Sequence, residues 1–144
     1  MRILILYHSL SNNTKEVANL IGKHVGEQGL SFLVSDIDYE INLEEYDHVF
    51  IGTYTWGDGD LPLQMRDYLR FILKENKLNL PSFSVFGTGE TQFTYYCRAV
   101  DEMEYHLSKF TKVNGKLKIE QHPINQIDKI EKYTLDVLEA IKCN

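Results

Sequence analysis

Short unbroken apolar runs alternate with amphipathic helical stripes along this sequence, and that alternation leaves few architectures open. Ile3 to Tyr7 is a continuous apolar run, as expected of a strand buried on both faces. Val17, Ala18, Ile21 and Val25 then share one helical stripe, which Gly26 and Gly29 can end. Phe32, Val34 and Ile37 suggest a second strand, and Val49 to Ile51 a third that stops at Gly52. Leu61, Met65, Tyr68, Leu69, Ile72 and Leu73 recur at helical spacing, with Pro62 placed in a first turn. Phe83 to Phe86 reads as a fourth strand stopped by Gly87, and Leu117 to Gln121 as a fifth. Between them Val100, Met103, Leu107 and Phe110 form a helical stripe. The last helix carries Ile127, Ile130, Thr134, Val137, Leu138 and Ile141 on one side.

Strands that alternate with helices imply an α/β fold: a parallel sheet covered on both faces through right-handed crossovers. Five strands fit a doubly wound sheet of order 2-1-3-4-5. A ligand then binds beyond the carboxyl ends of the strands, at the switch point between strands 1 and 3. A chain of 144 residues fits one domain, 1–144, and a domain of that size buries about 70% of its unfolded surface. Its core needs neither disulfide nor metal. Cys97 and Cys143 form no CxxC pair, and the five histidines show no metal-binding spacing.

The net charge of −6 disfavours nucleic acid, whose phosphates need a basic face, and favours partners with basic docking surfaces. The N-terminal apolar run is too short for a signal peptide, and no stretch approaches the roughly 20 apolar residues that span a bilayer. A monomer in a reducing cytoplasm is the expectation.

Three loops fall at the ligand-binding edge. Ser9, Leu10, Ser11, Asn12, Asn13 and Thr14 join the first strand to the first helix, placing hydroxyls and amides beside the free N–H groups of a helix start. That is a nest for a phosphate group, or simply a polar N-cap. The loop lacks the ending of a Walker A motif and the glycines of a dinucleotide fingerprint. Thr53, Tyr54, Thr55, Trp56, Gly57, Asp58, Gly59 and Asp60 follow the third strand and include the only Trp. A large ring in a loop is costly unless it stacks on something; the other reading is an acidic turn with the Trp packed on the core. Gly57 can take positive φ, so its peptide can turn over cheaply. Gly87, Thr88, Gly89, Glu90 and Phe93 to Cys97 follow the fourth strand, with close-approach backbone and then aromatics. Tyr96 there reads as packing, and Phe93 as packing or ligand. A phosphate nest, an aromatic plate beside a flexible glycine and a second aromatic together fit a planar tricyclic ring on a phosphorylated chain.

These segments, Ser9–Thr14, Thr55–Gly59, Gly87–Glu90 and Tyr96 through Asp101, resemble the three flavin loops of short-chain flavodoxins, in order and over essentially the whole chain. The resemblance implies a flavodoxin-like fold, FMN as cofactor, and one-electron transfer between a flavodoxin reductase and electron-accepting enzymes through an acidic face near the flavin. It also implies roles. Ser9, Ser11, Asn13 and Thr14, with backbone N–H groups of their loop, bind the FMN phosphate. Trp56 stacks on one ring face, and Gly57 presents its carbonyl to the N5 proton of reduced flavin after a peptide flip. Backbone of Thr88 to Glu90 holds the pyrimidine edge, Phe93 covers the other face, and Tyr96 and Cys97 are counted with the cofactor-binding residues. Asn12 stands where the family usually has Gly, and Phe93 where it usually has Tyr. Asp58, Asp60 and Glu90 disfavour a second negative charge on the ring; one carboxylate about 8 Å away costs about 2 kcal/mol at an effective dielectric of 20.

Two other flavin readings share this fold: an activator of a class Ib (manganese) ribonucleotide reductase, and an NAD(P)H:quinone oxidoreductase. Trp56-Gly57-Asp58-Gly59 favours a carrier over the first, and two covered ring faces leave no room for the nicotinamide of the second. A response-regulator-like module needs a phosphoacceptor Asp at the end of strand 3, where Gly52-Thr53 stands.

Overall fold

The computed structural model describes residues 1–76, 79–91 and 95–142. Five strands, β1 (Arg2–His8), β2 (Ser31–Asp36), β3 (His48–Tyr54), β4 (Ser82–Gly89) and β5 (Val113–Glu120), form one sheet. Their order is β2-β1-β3-β4-β5 and every pairing is parallel, as the alternation required.

Four helices cover the sheet: α1 (Asn13–Glu27), α2 (Leu63–Asn76), α3 (Arg98–Ser108) and α4 (Ile127–Lys142). The two-residue period of a strand sends its apolar side chains to alternate faces, so β1 feeds two cores. Leu4 and Leu6 join Val49, Ile51, Phe83 and Val85 under Met65, Tyr68, Leu69, Met103 and Leu107 of α2 and α3. Ile3 and Ile5 join Phe50, Phe86 and Ile119 under Val17, Ile21 and Val25 of α1 and Ile130, Val137 and Leu138 of α4. Each such buried side chain stabilises the fold by about 1.5–3 kcal/mol relative to exposure, which is why unbroken apolar runs occupy the central strands.

Two glycines do not end their strands. β3 continues through Gly52 to Tyr54 and β4 through Gly87 to Gly89. Gly52 pairs in register with Phe86, and a Cβ on it would lie 2.1 Å from the Phe86 ring. The glycine makes room for a neighbour's aromatic, and the ladder carries on to raise the ligand-binding edge by two residues. Pro62 also lies just outside α2; its carbonyl accepts from the Arg66 N–H at 3.0 Å.

Three further expectations are corrected at element ends. β5 starts at Val113, four residues before Leu117, because a bulge absorbs an extra residue: Phe83 faces Val113 but Val85 faces Lys116, with Gly115 at φ 81°. Phe110 is off the α3 stripe and exposed, since α3 ends at Ser108 and the chain turns where the Phe110 and Thr111 N–H groups both donate to Leu107 O. Ile127 opens α4 yet is exposed, on the rim of a surface hollow shared with Asn19 and Leu20 of α1. Among the described residues no helix is long and apolar enough to cross a membrane.

Candidate functional site

β1, β3 and β4 end side by side, and the loops that leave them meet over the switch point. They enclose a cleft of about 290 Å³ lined by Leu10, Ser11, Asn13, Tyr54, Thr55, Thr88, Gly89, Glu90 and Gln121. Eight of these nine are residues singled out from sequence, drawn from all three loops. Gln121 is the one missed. It follows β5 at φ 47°, its N–H donates to Gly89 O at 2.8 Å, and its Nε2 donates to Glu90 Oε1 at 3.1 Å. The signal was available: β5 lies beside β4, so its carboxyl end must reach the same edge.

In the first loop Asn12 holds the N-cap position of α1 at φ 69°, ψ −9°, the left-handed region that Asn tolerates best among non-glycine residues. Its own side chain makes no capping bond; the polar cap of this helix start comes from Ser9, three residues upstream. Ser9 Oγ accepts from the Lys15 N–H at 3.4 Å, Leu10 and Ser11 are exposed, and Asn13 is half-buried. Thr14 is turned inward and fully buried, with its hydroxyl 2.8 Å from that of Thr88. That contact ties the first loop to the third.

In the second loop Thr53 is buried and donates its hydroxyl to Tyr54 O at 2.9 Å, while Thr55 Oγ1 donates to Thr88 O at 3.2 Å. Trp56 is 60% exposed, which removes the reading of a ring packed on the core. Its turn closes on itself. The Trp56 N–H donates to Asp60 O at 2.8 Å, and the Asp60 N–H donates back to Trp56 O at 2.7 Å. Within the turn Gly57 and Gly59 have φ 55° and 113°. Gly57 has open space around it, whereas a Cβ on Gly59 would fall 2.0 Å from Tyr95 O. Asp58 is exposed. The Asp60 carboxylate pairs with the Arg98 guanidinium, which also lies 4.5 Å above the Tyr95 ring. Asp60 therefore acts as a neutralised carboxylate, which corrects its place in the charge argument above.

In the third loop Cys97 is 1% exposed and sits at φ 51° as the N-cap of α3; burial pushes its thiol up to about 11. It is a protonated packing group, without the thiolate that redox chemistry needs. Tyr96 packs half-buried on the α2–α3 core, and burial followed by the Cys97 side chain raises its phenol well above the usual range. Phe93 lies outside the described residues. His8, at the end of β1, stands against the Tyr54 ring at 5.5 Å and 3.6 Å from Asp36.

The donor set suits a phosphate ester on a flat ring. A helix start whose N-cap side chain makes no capping bond, with only the Lys15 N–H met by Ser9 Oγ at 3.4 Å, suits a phosphate. Gly89 has no room for a Cβ, which would lie 2.8 Å from Thr55 Oγ1 and 2.9 Å from Cys97 Sγ, so the second and third loops pack closely here beside the cleft.

A doubly wound α/β protein with a cleft at its switch point is what fold and site define. Known proteins make this particular. The flavodoxin family model matches residues 5–133. A probable flavodoxin 2 of Bacillus subtilis is 40% identical over 106 residues, covering 72% of this chain and 70% of that protein. A flavodoxin of Nitratidesulfovibrio vulgaris is 32% identical over 146 residues, covering 96% and 98%. The crystal structure of oxidised flavodoxin 2 from Bacillus cereus superposes with a TM-score of 0.86 at 30% identity, covering 97% and 99%. The chain belongs to the flavodoxin family of FMN-containing electron carriers.

Proposed function

We propose that residues 1–144 act as one cytoplasmic flavodoxin domain in which the three loops hold FMN in the roles the resemblance implies. The observation that carries this reading is the convergence of eight sequence-selected residues on one cleft, with Trp56 exposed next in sequence to its lining residue Thr55. Ser9, Ser11, Asn13 and the N-terminal N–H groups of α1 bind the phosphate. Thr14 contributes by fixing the loop through Thr88. Trp56 supplies a stacking plate already in the open, and Phe93 is assigned the opposite face. Backbone of Thr88 to Glu90, buttressed by Gln121, takes the pyrimidine edge.

Bound FMN supplies a centre that accepts and returns electrons one at a time. The protein's part is to hold it, to shield it from water, and to place a carbonyl that can accept a proton's hydrogen bond. Gly57 suits this last role because a glycine at φ 55° carries no Cβ to hinder a change of its peptide's orientation. Asp58 and Glu120 are exposed and Glu90 is partly buried at this edge of the sheet. That edge is the surface proposed for docking the basic faces of a reductase and of acceptor enzymes, with electrostatic steering raising the encounter rate. The carrier works as a monomer.

Titration of the purified chain with FMN and, in parallel, with riboflavin tests the reading. Tight uptake of FMN is expected, with affinity falling by orders of magnitude when the phosphate is missing. Equal binding of both flavins, or of neither, removes it.

A further inference from the structure

Arg98 is the first residue of α3, where the positive end of the helix dipole disfavours a cation. Something must offset that cost, and two contacts are present. Its guanidinium pairs with the Asp60 carboxylate, and it lies 4.5 Å over the Tyr95 ring. Its Nε is buried without a hydrogen-bond partner among the described residues, so the group is held by this geometry at some desolvation cost. Asp60 belongs to the second loop and Tyr95 to the third. At the same seam Gly59 sits against Tyr95 O with no room for a Cβ.

We propose that Arg98 is a positioning residue that fastens the Trp56–Asp60 turn to the third loop and sets the charge this turn presents to reduced flavin; the proposal rests on the FMN reading above. The turn has two feet. β3 fixes the first, ending at Tyr54, and Arg98 fixes the second through Asp60. Between them Gly57 sits at φ 55°, where a Cβ would meet only Asp60 Oδ2 at 3.8 Å, so this part of the turn is the least crowded. One cation thus anchors the turn without stiffening the part that has to move. The same cation cancels the charge of Asp60, so a flavin gaining its second electron meets one uncompensated carboxylate fewer.

The test uses the FMN-loaded protein and four variants: Arg98→Gln, Arg98→Lys, Asp60→Asn, and the Arg98→Gln/Asp60→Asn pair. The two one-electron midpoint potentials of bound FMN are read by spectroelectrochemistry, beside the FMN dissociation constant. Arg98→Gln is expected to weaken binding of fully reduced FMN, relative to its one-electron neighbour, at least tenfold, which is about 59 mV on the lower midpoint. Arg98→Lys retains most of the wild-type value, Asp60→Asn moves the lower midpoint upward, and the pair returns close to wild type. Unmoved midpoints in loaded Arg98→Gln overturn the proposal, as does a double variant displaced as far as Arg98→Gln alone. Should Arg98→Gln fail to fold, an unmoved lower midpoint in Asp60→Asn overturns it equally. A wild-type chain that takes up no FMN overturns both this role and the reading beneath it.

Discussion

The hydroxyls of Thr14 and Thr88 lie 2.8 Å apart in the interior, although 74 positions separate the two residues in sequence. Thr14 is the second residue of α1 and Thr88 the next-to-last residue of β4. A buried hydroxyl needs a partner, and here each is the other's.

Replacing one of them by valine strands the survivor. Thr14→Val or Thr88→Val alone is expected to cost about 1–3 kcal/mol, while the double variant costs clearly less than the sum, since no orphan remains. Urea unfolding of all four proteins without flavin measures the cycle. Simple additivity would show that the contact carries no energy.

Trp56 contributes to binding and hardly to folding, because its ring is 60% exposed. Trp56→Ala is expected to loosen FMN by about 1–3 kcal/mol, taking base–aromatic stacking as the guide, with the unfolding midpoint of the flavin-free protein unchanged. Quenching of flavin fluorescence gives the first number and chemical denaturation the second. A destabilised fold with unaltered FMN affinity would assign the ring to packing.

Gly57 and Gly59 occupy one turn but fail differently. Alanine at Gly57 meets nothing closer than 3.8 Å, so its cost is that of positive φ, about 1–2 kcal/mol. It is expected to fold and bind FMN, with the two midpoints drawn closer together. Alanine at Gly59 lands 2.0 Å from Tyr95 O and forces the loops apart, so FMN affinity itself should collapse. Comparison of the dissociation constants separates the two; equal losses would contradict it.

His48 makes stability depend on pH. It is buried at the start of β3, with Nδ1 2.7 Å from Ser82 Oγ and Nε2 2.8 Å from Ser84 Oγ. Ser84 passes its own proton to Asn114 O, so the ring donates from Nε2 and accepts at Nδ1. Burial lowers its pKa to about 4 from 6.5. Below 6.5 the unfolded chain takes up a proton that the native ring refuses until about pH 4. Its contribution is therefore complete above pH 6.5 and is lost between pH 6.5 and 4, by roughly 3 kcal/mol. His48→Gln should flatten that part of the stability–pH curve relative to wild type. Parallel curves for the two proteins would exclude His48 as the source.

The chain's own pattern determined the architecture. Unbroken runs such as Ile3–Tyr7 suit doubly buried strands and stripes such as Val17–Val25 suit helices that cover them, so the layers follow from burial, and the alternation of the two fits the order the sheet adopts. The polar loops were legible for the same reason: they follow strands whose carboxyl ends must share an edge. Tertiary structure decided what depends on a neighbour distant in sequence. Gly52 and Gly87 read locally as stops, yet β3 and β4 run on because Phe86 and Val100 need the space that a Cβ would take. Phe110 kept the helical period but lost its helix. Asp60 looked like one more negative charge until the fold set Arg98 beside it, and Gln121 joined the cleft only through β5 lying next to β4. Periodicity records which side of an element is dry. Which two side chains meet across a seam is fixed by packing, and no local pattern of residues encodes it.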